Sequence, residues 1–141
     1  MRIVRAGCVC AVLGAAVAGC HSSPAAPSSA AFTETDLRVG TGATASSGSN
    51  VTVNYTGWLY DSTKTNDIGL QFDSTVGKAP LSFTLGAGSV IPGWEQGIPG
   101  MRVGGVRRLV IPPSLGYGSS RYASIPPNST LVFDVELVSI Q

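Results

Sequence analysis

The chain has 141 residues, with nine basic and eight acidic side chains, a formal net charge of +1, one histidine and three cysteines. A balance this even leaves no electrostatic footprint for nucleic acid, and Arg107-Arg108, the one adjacent basic pair, is expected at an exposed strand edge instead. With His21 as the sole histidine and no Cys/His cluster, triad hydrolysis is excluded, and the carboxylates Asp61, Asp67 and Asp73 show no ligand spacing, so neither metal nor cofactor is expected.

In chain order, Arg2 and Arg5 precede an apolar run from Ala6 to Val17, long enough for a signal-peptide core and too short to span a bilayer. It ends in Val17-Ala18-Gly19-Cys20, which resembles a bacterial lipobox. Residues 1–19 are therefore expected to be a removed lipoprotein signal peptide, with Cys20 acylated and the protein attached to a membrane through that lipid. Cys8 and Cys10 leave with the leader and Cys20 carries lipid, so the mature domain has no thiol to pair and must be held by its core. Loss of Arg2 and Arg5 leaves seven basic side chains against eight acidic, a mature charge of −1. No aspartate follows Cys20, which makes the periplasmic side of an outer membrane the expected location. Residues 20–34 begin with small, polar and proline-containing sequence and read as a flexible tether, leaving residues 35–141 as one folded domain.

Within that domain, Thr35 to Val39 predicts a short strand and Asn50 to Tyr60 a long one, with Val51, Val53 and Tyr55 on one face. Asp61 to Gly69 reads as a loop, after which Leu70 and Phe72 share one side of a third strand. Leu81, Phe83 and Leu85 alternate with polar residues as a fourth. Gly86-Ala87-Gly88-Ser89 then turns the chain into Val90-Ile91-Pro92-Gly93-Trp94-Glu95-Gln96-Gly97, a short helix whose start is set by Pro92. Val103 to Ile111 predicts a strand stopped by Pro112-Pro113, and Ser114 to Pro127 a long loop of the kind that carries function. Leu131 to Ile140 closes the domain, with Leu131, Phe133, Val135 and Leu137 inward and Val132, Asp134, Glu136 and Val138 outward. The fold class is α+β: an antiparallel sheet of five to six strands wrapped around one short helix.

Tyr55, Phe72, Phe83, Tyr117 and Phe133 would form an apolar cup if they converge on Trp94, whose indole dominates local burial. A cup without acid, base or nucleophile can still accelerate rotation about an X-Pro peptide bond. The barrier of ~20 kcal/mol is resonance stabilisation. A site that strips water from the carbonyl and holds the amide twisted favours the less polar transition state.

The runs Val53-Asn54-Tyr55-Thr56-Gly57, Phe72-Asp73-Ser74, Val90-Ile91-Pro92-Gly93-Trp94-Glu95, Leu115-Gly116-Tyr117-Gly118 and Ile125-Pro126-Pro127-Asn128-Ser129-Thr130-Leu131-Val132-Phe133-Asp134-Val135-Glu136-Leu137 stand in this order. Together they resemble the FKBP-type peptidyl-prolyl isomerases, the macrolide-binding immunophilins. The resemblance implies isomerase activity on proline-containing polypeptides of exported proteins and inhibition by macrolides of the tacrolimus and rapamycin type. It implies Trp94 as the floor on which the proline ring lies, with Tyr55, Phe72, Phe83, Val90, Ile91 and Phe133 as walls. Ile91 would give its backbone N–H to the carbonyl after the proline, and the Tyr117 hydroxyl would bind another carbonyl. Asp73 would orient groups near the twisted amide without transferring a proton. Leu81 takes a position often aromatic in the family, and Ile125 would line a flap over the cleft whose other residues are Ser119-Ser120-Arg121-Tyr122-Ala123-Ser124. Val76-Gly77-Lys78-Ala79 lacks the arginine that commonly pairs with this aspartate, leaving Lys78 as the available cation. The rival from another class is a noncatalytic module that holds proline segments or unfolded chains in the same cup. No heptad or repeat calls for a dimer, and a monomer is expected.

Overall fold

The computed structural model describes residues 30–141; the expected leader, the expected lipidation site Cys20 and the expected tether through residue 29 lie outside the described residues. Six antiparallel strands follow one another as β1 (Thr33–Arg38), β2 (Asn50–Tyr60), β3 (Ile68–Ser74), β4 (Leu81–Thr84), β5 (Val106–Ile111) and β6 (Leu131–Ile140). A six-residue helix, α1 (Pro92–Gly97), sits between β4 and β5. The strand order is β1-β5-β6-β2-β3, and β4 also pairs with β2. Since β6 runs along one edge of β2, both β3 and β4 lie on its other edge, and Thr75–Pro80 leaves the sheet between them. This is the architecture expected from the alternation of the strands.

The inward face carries the core. Val51, Val53, Leu109, Ile111, Leu131, Val135 and Leu137 are all fully buried. They form one cluster with Phe133 of β6 and with Trp94 and Ile98 of the helical side. A helix of six residues has too few internal hydrogen bonds to persist alone, so α1 depends on lying against the sheet. Its two glycines make that contact close. A Cβ at Gly93 would meet Ile111 Cγ2 at 2.6 Å, and one at Gly97 would meet Leu109 Cδ2 at 2.5 Å. Pro92 at the first turn fixes the approach.

Several expectations need correction. β1 begins at Thr33, inside the stretch read as tether, because Thr33 and Glu34 pair with Val110 and Leu109. It ends at Arg38, leaving Val39 exposed. β5 begins at Val106, since Gly104 has a φ of +89° and the chain is still turning there. Leu70 does not share the side of Phe72 but is 72% exposed. Irregularities between Gly57 and Trp58 and between Trp58 and Tyr60 shift the β2–β3 register and break strict alternation. Val132, expected outward, is fully buried between Trp58 of β2 and Val110 of β5 in the neighbouring strands.

Arg107 and Arg108 are not on an edge, for β5 lies between β1 and β6. Arg107 is 8% exposed; it donates to Asp36 Oδ1 at 2.6 Å and Oδ2 at 3.2 Å, and to the Gly97 carbonyl at 2.9 Å. One guanidinium thus joins β1 to the end of α1 and satisfies a carbonyl that the helix leaves open. Arg108 pairs bidentately with Asp134, both bonds 2.7 Å. The basic pair is consumed by internal carboxylates, which leaves no phosphate patch there.

Candidate functional site

The inward face of β2, the end of β3, the start of β4, the loop into α1 and the loop before β6 enclose a cavity of about 620 Å³. Of the eleven side chains expected at the site, ten line it: Tyr55, Phe72, Asp73, Leu81, Val90, Ile91, Trp94, Tyr117, Ile125 and Phe133. Phe83, expected as a wall, does not. It is buried in the core with its ring centroid 5.8 Å from that of Trp94, so it backs the indole without facing the cavity.

Trp94 projects from the first turn of α1 and is 4% exposed. Tyr55 and Phe133 meet it edge-on, with centroids at 5.0 and 5.3 Å and planes at 79° and 86°. Phe72 meets Phe133 in the same way at 5.5 Å and 86°. Edge-to-face pairs add roughly 0.5–1.5 kcal/mol each beyond their buried area, so these rings hold one another upright around the indole. Gly57 makes this possible. A Cβ there would lie 2.7 Å from both Phe133 Cε1 and Phe72 Cζ.

The polar groups sit at the rim. The Tyr55 hydroxyl donates to Asp73 Oδ2 at 2.6 Å, and the Ser74 N–H donates to Asp73 Oδ1 at 2.8 Å. Lys78 Nζ stands 4.0 Å from Asp73 Oδ1, and both side chains are largely in solvent, so this pair is loose. Burial, and then the hydrogen bond to Asp73, push the Tyr55 phenol far above its ordinary range. Burial also raises Tyr117, followed by the neighbouring Tyr122 phenol and Asp73. Both tyrosines therefore remain protonated donors at neutral pH.

At the mouth of α1, the Ile91 carbonyl accepts from the Trp94 N–H at 3.0 Å and the Glu95 N–H at 3.3 Å. The Ile91 N–H itself has no acceptor among the described residues. The Glu95 carboxylate accepts from the Gly86 and Gly88 N–H groups, bracing the loop that delivers Val90 and Ile91. Ser89 also lines the cavity and was not foreseen, and of the expected flap Tyr122, Ala123 and Ser124, given no individual role from the sequence, line it too. The last three lie in the glycine- and proline-rich loop, where no periodicity signals which side chains turn inward. The one available signal was Tyr122 itself, a large aromatic in a stretch of small residues.

The chemistry this permits is narrow. An aromatic floor and walls exclude water, and phenolic and backbone N–H donors stand at the edge. Asp73 is already engaged by two donors. No group of three or more potential metal-ligating side chains occurs among the described residues.

A family model described as FKBP-type peptidyl-prolyl cis-trans isomerase matches residues 42–138. The chain belongs to this family. Its FKBP domain is 46% identical over 107 residues to the FK506-binding protein of Neisseria meningitidis serogroup B, covering 74% of this chain and 92% of that one. It is 50% identical over 106 residues to FK506-binding protein 4 of Neurospora crassa. That match takes in 75% of this chain but 21% of the longer relative, so the chain spans about a fifth of it. Among solved structures, FkpA from Escherichia coli superposes with a TM-score of 0.66 at 42% identity, covering 78% of this chain and 48% of FkpA. AtFKBP13 gives the same TM-score at 36% identity, covering 78% and 93%.

Proposed function

We propose that this chain is a peptidyl-prolyl cis-trans isomerase that acts on proline-containing segments of exported proteins while anchored to a membrane by lipid on Cys20. The observation that carries the catalytic reading is the cup itself: Trp94 as floor, three aromatic walls and donors at the rim, with no acid–base pair. A proline ring laid on the indole brings its preceding amide into a dry environment, where the charge-separated resonance form loses its solvation. Cis and trans X-Pro bonds differ by only about 0.5–1 kcal/mol, so a site that binds the twisted form serves both directions. The Ile91 N–H would hold the carbonyl after the proline, and the Tyr117 hydroxyl a second carbonyl. Asp73 fixes the Tyr55 hydroxyl at the edge of the cup. Macrolides of the tacrolimus and rapamycin type would compete for the same surface.

Exchange NMR of short X-Pro peptides tests this reading, using the chain from His21 onward with and without rapamycin. Acceleration that rapamycin abolishes is the expected result. Binding without acceleration would make the cup a proline-recognition module instead.

The anchoring reading rests on the Ala6–Val17 run and on Val17-Ala18-Gly19-Cys20. Labelled palmitate should enter the protein and Cys20→Ser should release it from the membrane fraction. Labelling that survives Cys20→Ser would refute lipidation at that residue. The lack of an aspartate after Cys20 favours the periplasmic face of an outer membrane, which density-gradient separation of the two membranes would check.

A further inference from the structure

Tyr122 lines the cup but has no part in the reaction described above. Its ring lies flat on that of Tyr117, with centroids 4.3 Å apart and planes 3° from parallel. The segment that carries it is pinned. The Tyr122 N–H donates to the Ile125 carbonyl at 3.2 Å, the Ile125 N–H donates back at 2.8 Å, and Ile125 is 2% exposed. Tyr122 itself is 55% exposed, so the turn is anchored through Ile125 while the phenol stands free except for its stack.

Tyr117 is held differently. It lies between Gly116 and Gly118, the latter at a φ of +60°. Backbone bonds from Gly116 and Gly118 to the Pro113 carbonyl, at 3.1 and 2.9 Å, fix the main chain there. Main-chain bonds set no ring orientation, and the Tyr117 hydroxyl has no hydrogen-bond partner among the described residues. Tyr117 packs against the core on one side, and the flat contact with Tyr122 restricts its ring from the loop side.

We propose that Tyr122 is a positioning residue, which by stacking on Tyr117 keeps that ring oriented so its hydroxyl is aimed into the cup before a substrate arrives. This rests on the isomerase reading and deepens it. A donor held in place costs no reorganisation when the twisted amide forms, whereas a donor that must first be ordered loses part of its effect. Tyr122 acts through Tyr117 and need not touch the reacting bond.

A double-mutant cycle on the full chain in detergent micelles tests this. Tyr122→Ala should lower kcat/KM about three- to tenfold, the range that one aromatic contact is worth. Tyr122→Phe, which keeps the stack, should restore most of it. In a Tyr117→Phe background, where no hydroxyl remains to be aimed, Tyr122→Ala should cost less than about twofold, since residues that act as one unit are not additive. An equal loss in both backgrounds overturns the proposal, because Tyr122 would then act by itself; so does no loss at all. Three-bond couplings of Tyr117 supply a readout independent of catalysis, with one χ1 rotamer expected in the parent and averaging in Tyr122→Ala. If the parent shows no acceleration of X-Pro rotation, the isomerase reading fails by itself. The couplings then decide the stack: an unaveraged Tyr117 in Tyr122→Ala overturns the positioning role as well.

Discussion

Gly57→Ala should damage both the stability of the domain and the shape of its cup, and the structure says which ring yields. A Cβ at position 57 would stand 2.7 Å from Phe133 Cε1 and from Phe72 Cζ, where ordinary contact starts at 3.4 Å, so each ring must retreat by about 0.7 Å. Phe133 is 3% exposed, wedged against Trp94 and Tyr55 as well as Phe72, and has nowhere to go. Phe72 is half-buried and faces the cavity, so it moves inward and narrows the site. Overpacking of this kind costs about 1–3 kcal/mol, which for a domain near this size lowers Tm on the order of 5–15 °C. Thermal unfolding by circular dichroism reads the first effect. Rapamycin affinity and the X-Pro exchange rate read the second, and both should weaken together. Adding Phe72→Leu removes the colliding Cζ and should recover part of the stability but not the affinity, since the wall is then lost. A Gly57→Ala protein with parental Tm and parental affinity would refute the argument, for it would mean that the two rings do not close over residue 57.

The remaining predictions concern the polar rim. Asp73→Asn keeps an acceptor for the Tyr55 hydroxyl but removes its charge, so the Tyr55 phenol should titrate closer to its ordinary value and kcat/KM should fall roughly three- to tenfold; a phenol unmoved in ultraviolet titration would refute the coupling. Stability should be complete below pH 10 and decline above it. Tyr55 and Tyr117 both keep their protons in the folded state to higher pH than the ordinary 10.0, while the unfolded chain releases them there. Denaturant titrations at pH 9, 10 and 11 check this, and rising stability across that span would reverse the sign. Lys78→Ala should change stability by less than about 0.5 kcal/mol, because its 4.0 Å contact with Asp73 lies in solvent. A tenfold loss of isomerase rate in that variant would instead show Lys78 doing the work of the family's arginine.

How much of this was legible in the sequence depended on the range of the interactions involved. β2 and β6 were readable to the residue, because a sheet buried on one face forces a period of two, and Val51, Val53, Leu131, Phe133, Val135 and Leu137 obey it. The same rule misplaced Leu70 and missed the burial of Val132, for different reasons. Two register shifts in the β2–β3 pair break the period locally, while Val132 faces outward as predicted but is covered by what flanks it. Arg107 was misread because its partner Asp36 lies 71 residues away, and a guanidinium alone in a sequence looks the same whether paired or solvated.

The cup itself shows the division most clearly. Trp94 was visible from its setting between Pro92, Gly93 and Gly97, a pattern that forces a helix close to a sheet. The convergence of Tyr55, Phe72 and Phe133 upon it is a property of strand order, which no local pattern contains; only the ordered resemblance to a known family carried it. In the irregular loop from Ser114 to Pro127 the resemblance marked Tyr117, Ile125 and a flap between them, but it gave Tyr122 within that flap no role of its own. Strands repeat and families share their floors, so both announce themselves. A loop is shaped by its own few contacts, and a side chain such as Tyr122, stacked flat on Tyr117, is the kind that only the assembled structure can place.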